Sequence, residues 1–148
     1  MTPQQIDLVQ HSWRLIEPHP LRVADLFYTR LFELDPSLRP LFRGDLQDQG
    51  AKLMAALQLV VGALNQLGHV LPAVQQLARR HVGYGVQAAH YDTVGEALAW
   101  TLAKGLGEAA TPELLQAWRE AYTTLAGAMK AAAWPQRPVA GEWQAQTL

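Results

Sequence analysis

Hydrophobic residues recur at helical spacing from the start of the chain. Thr2 followed by Pro3 is typical of a helix N-terminus, and Pro18 and Pro20 predict that this first helix ends near Glu17. Between these limits the apolar positions have the period of a helix that faces a core: Ile6, Leu8, Val9, Trp13 and Ile16.

The same pattern predicts three further helices in the first half of the chain. A helix is expected over 21–34, after which Asp35 and Pro36 start a short helix over 37–42. The segment 43–47 has loop composition. A long helix of about 20 residues, roughly 30 Å, is then predicted from 48 to 67, with Gly68 as its end.

The second half predicts three more helices. Pro72 is placed in the first turn of a helix whose apolar stripe leads to His81: Leu71, Val74, Leu77 and Ala78. The next helix is expected over 91–106 and is closed by Gly107, and the last begins at Thr111 and ends before Pro135. The segment 135–148 has no helical period, so we expect a domain over 1–134 and a loosely ordered C-terminal tail.

These elements define an all-α protein. No stretch alternates with the period of a β-strand, and no internal repeat or glycine-rich phosphate loop occurs. Six to seven helices of unequal length with short connections suit a crossed-helix fold as well as a four-helix bundle.

Composition narrows the functional classes. A chain of 148 residues that is 49% hydrophobic and 17% charged has the composition of one compact domain. Its formal net charge of -1 gives no electrostatic reason to expect a nucleic acid or an anionic membrane as partner. With no cysteine, disulfides, zinc-thiolate sites, iron–sulfur clusters and thiolate-ligated haem are excluded.

The sequence has no recognisable targeting or membrane segment. The N-terminus lacks a basic start followed by an apolar core, so a signal peptide is not predicted. The longest apolar stretch, 53–64, is interrupted by Gln58 and is shorter than the roughly 20 residues of a membrane helix. We therefore expect a cytoplasmic protein.

Several polar side chains fall on helix faces that should be buried: Tyr28, Gln49, His81 and Tyr91. Each has an ordinary explanation when taken alone. A buried tyrosine usually bonds a backbone carbonyl, a glutamine in a first turn is usually solvated, and a single histidine is usually a core residue with a satisfied ring. The residues themselves leave open whether His81 meets another side chain, a metal ion or a flat cofactor.

Taken together, these residues resemble a known family. The segment LFYTRLFELDPSLRPLF, then Gln49 with the three residues 52–54, then RRHVGYGVQAAHYDTVG and AWREAY are similar to the single-domain haemoglobins of bacteria and to the globin half of flavohaemoglobins. The resemblance covers about residues 6–134. It implies a globin fold that encloses haem b, with His81 as the proximal iron ligand and Tyr91 orienting its imidazole.

The resemblance also implies roles for residues around the haem. Tyr28 and Gln49 would donate hydrogen bonds to bound dioxygen, whereas carbon monoxide would gain less, so dioxygen should bind tightly. Phe42 would pack on the haem plane, and Arg80 would pair with a propionate unless it is simply a solvated charge. The remaining haem contacts would be Leu53, Leu57, Leu77, Val86 and Val94, and the first two would help to exclude water.

Several functions are compatible with this site. The expected activity is reversible, high-affinity binding of dioxygen, with nitric oxide and carbon monoxide as further ligands, in a monomer or weak homodimer. Nitric oxide dioxygenation would need a reductase in trans, because the chain contains no flavin domain. The family pairs its proximal histidine and tyrosine with a glutamate in the last helix, but 128–133 reads AMKAAA, which weakens the case for fast catalysis. A gas sensor and a haem-free regulatory or interaction module are the alternatives.

Overall fold

The computed structural model describes residues 1–42 and 44–134, and within these the protein is all-α, as predicted. Two 3-10 helices, Pro36–Leu41 and Gly107–Ala109, accompany six α-helices: α1 (Pro3–Ile16), α2 (Pro20–Leu34), α3 (Leu46–Gly62), α4 (Leu67–Gly83), α5 (His90–Leu106) and α6 (Pro112–Ala133). The predicted tail, 135–148, lies outside the described residues. None of the helices in the described ranges is long and apolar enough to cross a membrane.

Side-chain caps set the starts of three helices. At α1 the hydroxyl of Thr2 accepts the backbone N–H of Gln5 at 3.1 Å, and the Gln5 side chain accepts the Thr2 N–H at 2.9 Å. Thr111 caps α6 in the same way, through the N–H of Leu114. Asp45 accepts the Gln47 N–H and caps α3. The predicted helix starts at Thr2 and Thr111 are therefore confirmed, because these caps satisfy donors that have no partner within the helix.

The predicted boundary between the third and fourth main helices is wrong. α3 ends at Gly62 and α4 begins at Leu67, so a turn replaces the last part of the predicted helix over 48–67. Leu64 within this turn is still buried, which is why the apolar period continues through a segment that is not helical. Pro72 consequently lies inside α4, where it removes the hydrogen bond to the exposed Gly68 carbonyl near the start of the helix.

The helices pack around two clusters of buried side chains. The larger cluster joins α1, α2, α3, α5 and α6 and includes Trp13, Leu31 and Trp118. Two of its buried polar side chains are satisfied, since the Trp118 indole donates to Ser12 Oγ at 2.8 Å and Ser12 donates to the Val9 carbonyl at 2.9 Å. The smaller cluster lies between α4, α5 and α6 and contains Val74, Ala78, Tyr91, Ala126 and Met129. Tyr28 thus belongs to the larger cluster and Tyr91 to the smaller one.

Candidate functional site

Tyr28 lies on α2 in an aromatic cluster. Only 6% of the residue is exposed, and its ring centroid is 5.2 Å from that of Phe27, 6.0 Å from Phe32 and 5.3 Å from Phe42. Its hydroxyl makes no hydrogen bond to another described residue. Burial raises the pKa of Tyr28 to about 12, because the phenolate would lose its hydration. At neutral pH the side chain is therefore a protonated donor in an apolar setting.

The helices α2 and α3 approach each other closely at Gly50, the residue after Gln49. Gly50 is buried, and a Cβ placed on it would lie 2.7 Å from the Ala24 Cβ and 4.0 Å from Cε2 of Tyr28. Only glycine allows the two helices to come this near. Gln49 itself is half-buried in the first turn of α3, and its place in the site stays a prediction.

His81 lies near the C-terminal end of α4 and is half-buried. Its Nδ1 is 2.8 Å from the carbonyl oxygen of Leu77, one turn earlier. Burial lowers the pKa of His81 and the charge of Arg80 adds to this, while the bond to Leu77 opposes both. A carbonyl only accepts, so Nδ1 carries the proton and Nε2 presents its lone pair. The side chain is a neutral imidazole of defined tautomer.

Tyr91 is buried at the start of α5, with 6% exposure, but its hydroxyl has no hydrogen-bond partner among the described residues. Its backbone carbonyl accepts the hydroxyl of Tyr122 at 2.6 Å, and the ring of Trp134 meets its ring edge-on at 6.3 Å. The hydrogen bond from His81 Nδ1 goes to the Leu77 carbonyl and not to the Tyr91 hydroxyl. The orienting role of Tyr91 therefore stays a prediction.

The other residues predicted to line the site divide between the two clusters. Phe42, Leu53, Leu57 and Val94 belong to the larger cluster with Tyr28, whereas Leu77 and Val86 pack with Tyr91 in the smaller one. Leu57 is buried and the rest of this set is half-buried, while Arg80 is exposed.

Sequence reasoning missed three contributions to this arrangement. The Leu77 carbonyl is the hydrogen-bond partner of His81, and a backbone carbonyl leaves no signal in the sequence. Gly50, directly after Gln49 in a helix, was the available signal for the close approach to α2. The contact of Trp134 with Tyr91 had no sequence signal. No group of three or more His, Cys, Asp or Glu side chains that could hold a bare metal ion occurs in residues 1–42 and 44–134.

Comparison with known proteins assigns the class. The globin family's sequence profile matches residues 25–129, well over half of the chain, and the chain belongs to this family. It is 36% identical over 129 residues to a flavohaemoprotein of Bordetella parapertussis, covering 85% of this chain and 32% of that protein. It is 31% identical over 126 residues to the flavohaemoprotein of Bacillus subtilis, covering 83% and 32%. The chain thus spans about a third of the length of these relatives.

Solved structures confirm the predicted globin fold. An engineered carbene transferase made from a proposed nitric oxide dioxygenase of Rhodothermus marinus has a TM-score of 0.82 and 32% identity, covering 90% of this chain and 93% of that one. A bacterial globin from Campylobacter jejuni, at 24% identity, supports the fold alone, with a TM-score of 0.80 and coverage of 89% and 96%. A flavohaemoglobin of Malassezia yamatoensis with bound FAD and haem has a TM-score of 0.75 and 27% identity, covering 90% and 36%.

Proposed function

We propose that this globin holds haem b through His81 and binds dioxygen reversibly with high affinity. The observation that carries the proposal is the hydrogen bond from His81 Nδ1 to the Leu77 carbonyl. It leaves Nε2 of a neutral imidazole as the ligand atom, which is the form that haem iron binds. The Malassezia relative, whose structure contains haem, supports the same cofactor.

The residues around His81 suit a haem group. The Leu77 carbonyl fixes the tautomer and orientation of the imidazole, as partners of a metal-bound histidine do. Haem, when bound, would supply an iron that can bind a diatomic gas. The residues that would contact the haem are Phe42, Leu53, Leu57, Leu77, Val86, Tyr91 and Val94. Arg80 is exposed, so its pairing with a propionate would contribute little free energy.

Tyr28 and Gln49 are proposed to select dioxygen. The protonated Tyr28 hydroxyl can donate a hydrogen bond to a gas molecule beside it, and its apolar surroundings would strengthen that bond. Dioxygen in such a site takes more negative charge than carbon monoxide and is the better acceptor. One strong hydrogen bond of roughly 1.5 to 3 kcal/mol slows release by roughly 10- to 150-fold.

Dissociation kinetics test this assignment. Tyr28→Phe and Gln49→Leu should each raise the dioxygen dissociation rate by about tenfold or more, with little change for carbon monoxide, as measured by stopped flow. Gln47→Leu, an exposed position in the same helix turn, is the matched control. Unchanged dioxygen kinetics in both site variants would show that the donors are wrongly assigned.

Nitric oxide dioxygenation is the second candidate. Nitric oxide, dioxygen and one electron give nitrate, so each turnover requires the supply of one electron. The description of the Rhodothermus structure as a proposed nitric oxide dioxygenase favours this reaction. His81, however, is bonded to a backbone carbonyl and not to a carboxylate, and we expect slow turnover. Stoichiometric nitrate from one exposure to nitric oxide, without steady-state turnover when a generic reductase is added, would favour dioxygen binding as the main function.

Measurements on the purified protein distinguish the two remaining alternatives, a haem-free module and a gas sensor. A haem-free regulatory module predicts a colourless protein that shows no Soret absorption after haem is added. A gas sensor predicts a partner whose affinity changes with the gas bound. Haem loading with unchanged partner binding would favour the dioxygen-binding proposal over both.

A further inference from the structure

Three aromatic rings, those of Tyr28, Phe32 and Phe42, contact one another in pairs and form a triangle. Tyr28 and Phe32 lie one turn apart on α2, and their rings stack with 6.0 Å between centroids and 20° between planes. The Phe42 ring meets Tyr28 edge-on at 5.3 Å and Phe32 edge-on at 5.6 Å. Stacked and edge-on pairs at such distances are the favourable arrangements of aromatic side chains. Each ring of the triangle is therefore held by the other two.

The Tyr28 ring is also confined by groups outside the triangle. Phe27 meets it edge-on at 5.2 Å, and a Cβ placed on Gly50 would lie 4.0 Å from its Cε2, so the α3 backbone runs close to the ring. The hydroxyl oxygen lies on the axis that runs from Cβ through the ring, and it moves only when the whole ring tilts. The stack on Phe32 opposes that tilt on one face of the ring. The surrounding rings therefore hold the hydroxyl oxygen in place.

Arg39 contacts two members of the triangle from an exposed position. Its Cζ lies 5.5 Å from the centroid of the Phe32 ring, and its guanidinium donates to the Phe42 carbonyl at 3.4 Å. The Arg39 carbonyl in turn accepts the Phe42 N–H at 3.2 Å. A guanidinium can stack on a ring and donate a hydrogen bond at the same time, which a lysine ammonium does less well. Arg39 thus ties Phe32 to the backbone of Phe42.

We infer that Phe32 and Arg39 are positioning residues for Tyr28 and set how strongly its hydroxyl bonds a ligand. The ligand, dioxygen, rests on the proposed function, whereas the packing of the rings does not depend on it. A hydrogen bond weakens steeply when donor and acceptor are misaligned. Neither residue is assigned to the haem, so each acts through Tyr28. Loss of either contact lets the Tyr28 ring tilt, and dioxygen then leaves sooner.

Dioxygen release from the haem-loaded full chain tests the role of Phe32. Phe32→Leu should raise the dissociation rate by about threefold or more, because a misaligned donor bonds weakly. The same change combined with Tyr28→Phe should add nothing, since the donor is then absent. Phe32→Tyr keeps the stacked ring and should keep the slow release. Leu34→Ala, at a half-buried position of the same helix, is the control and should release dioxygen as the unaltered protein does.

Arg39→Met is a second variant, at an exposed position where folding is not at risk. It removes the guanidinium and keeps an apolar stem beside Phe32. The dissociation rate should rise by about twofold, in keeping with a cation–π contact at an exposed site, and again only when Tyr28 is present. Arg22→Met, at an exposed arginine of α2, should leave the rate unchanged.

Ring flipping of Tyr28 gives a measurement that needs no haem. In NMR spectra of the full chain labelled with ¹³Cε-tyrosine, the Tyr28 signal is identified by its loss in Tyr28→Phe. Phe32→Leu should speed the flips by about threefold or more, because a contacting ring is removed, and Leu34→Ala should not.

The outcomes distinguish this inference from the proposed function. Unchanged dioxygen release in Phe32→Leu, where Tyr28→Phe itself releases dioxygen faster, would overturn the positioning role and leave the proposed function in place. An equal increase for Phe32→Leu with and without Tyr28→Phe would also overturn the positioning role, as would unchanged ring flipping. Faster flipping in a protein that takes up no haem would contradict the proposed function and support the positioning of Tyr28 by Phe32.

Discussion

At the scale of single residues, the surroundings of His81 differ in which polar groups find hydrogen-bond partners. His81 Nδ1 donates a hydrogen bond to the Leu77 carbonyl, and the Tyr122 hydroxyl donates one to the Tyr91 carbonyl. The Tyr91 hydroxyl has no hydrogen-bond partner among the described residues. The sequence itself shows that residues 128–133 contain no acidic side chain. The hydrogen-bond partner of His81 could not be predicted, because a backbone carbonyl carries no residue signature.

This difference between two tyrosines predicts opposite effects of removing a hydroxyl. Tyr122→Phe should lower the free energy of unfolding by about 0.5 to 1.5 kcal/mol, since it deletes the bond to Tyr91. Tyr91→Phe should leave it unchanged or raise it slightly, because the lost group has no partner. Chemical denaturation followed by circular dichroism measures both. A larger loss for Tyr91→Phe would show that its hydroxyl is bonded in the loaded protein, with His81 as the first partner to examine.

At the scale of elements, α2 and α3 approach each other closely at Gly50. A Cβ on Gly50 would lie 2.7 Å from that of Ala24, so Gly50→Ala should force the helices apart and lower stability by about 1 to 3 kcal/mol. Gly127→Ala is the control, since a Cβ there meets nothing within 4 Å in α6. That variant should gain about 0.5 to 1 kcal/mol from the better helix former. Equal effects in thermal unfolding would contradict the close approach as the cause.

Some helix boundaries could be predicted from the sequence, and others could not. The starts of α1 and α6 could be predicted because Thr2 and Thr111 cap them with side chains that follow known preferences. The end of α3 could not, because buried Leu64 keeps the apolar period running through the turn. The pairing of α2 with α3 depends on a tertiary contact at Gly50, for which a single glycine was the only local sign.

At the scale of the whole molecule, burial of ionisable groups couples stability to pH. Desolvation is the largest cause of a raised pKa in Tyr28, Tyr91 and Tyr122. Folding therefore favours the protonated phenol. The stability that this adds is fully present below the unfolded pKa of about 10. It is lost as the pH rises through the pKa in the folded protein, which is about 12 for Tyr28.

Stability should therefore fall as pH rises from about 10 toward 12, and the fall should be shallower in Tyr28→Phe. Thermal unfolding across this range, compared with Thr29→Val at an exposed position of the same helix, measures the slope. The same slope in Tyr28→Phe and in the unaltered protein would show that burial of this phenol does not contribute.

The central claim is that His81 holds the haem, and titration of haem into purified protein tests it directly. The unaltered protein should give a Soret band at one haem per chain. His81→Ala should lose tight binding, and added imidazole should restore the band by replacing the missing ring. His69→Ala, at an exposed position of the same helix, should titrate as the unaltered protein does. An unchanged Soret band and affinity in His81→Ala would contradict the account.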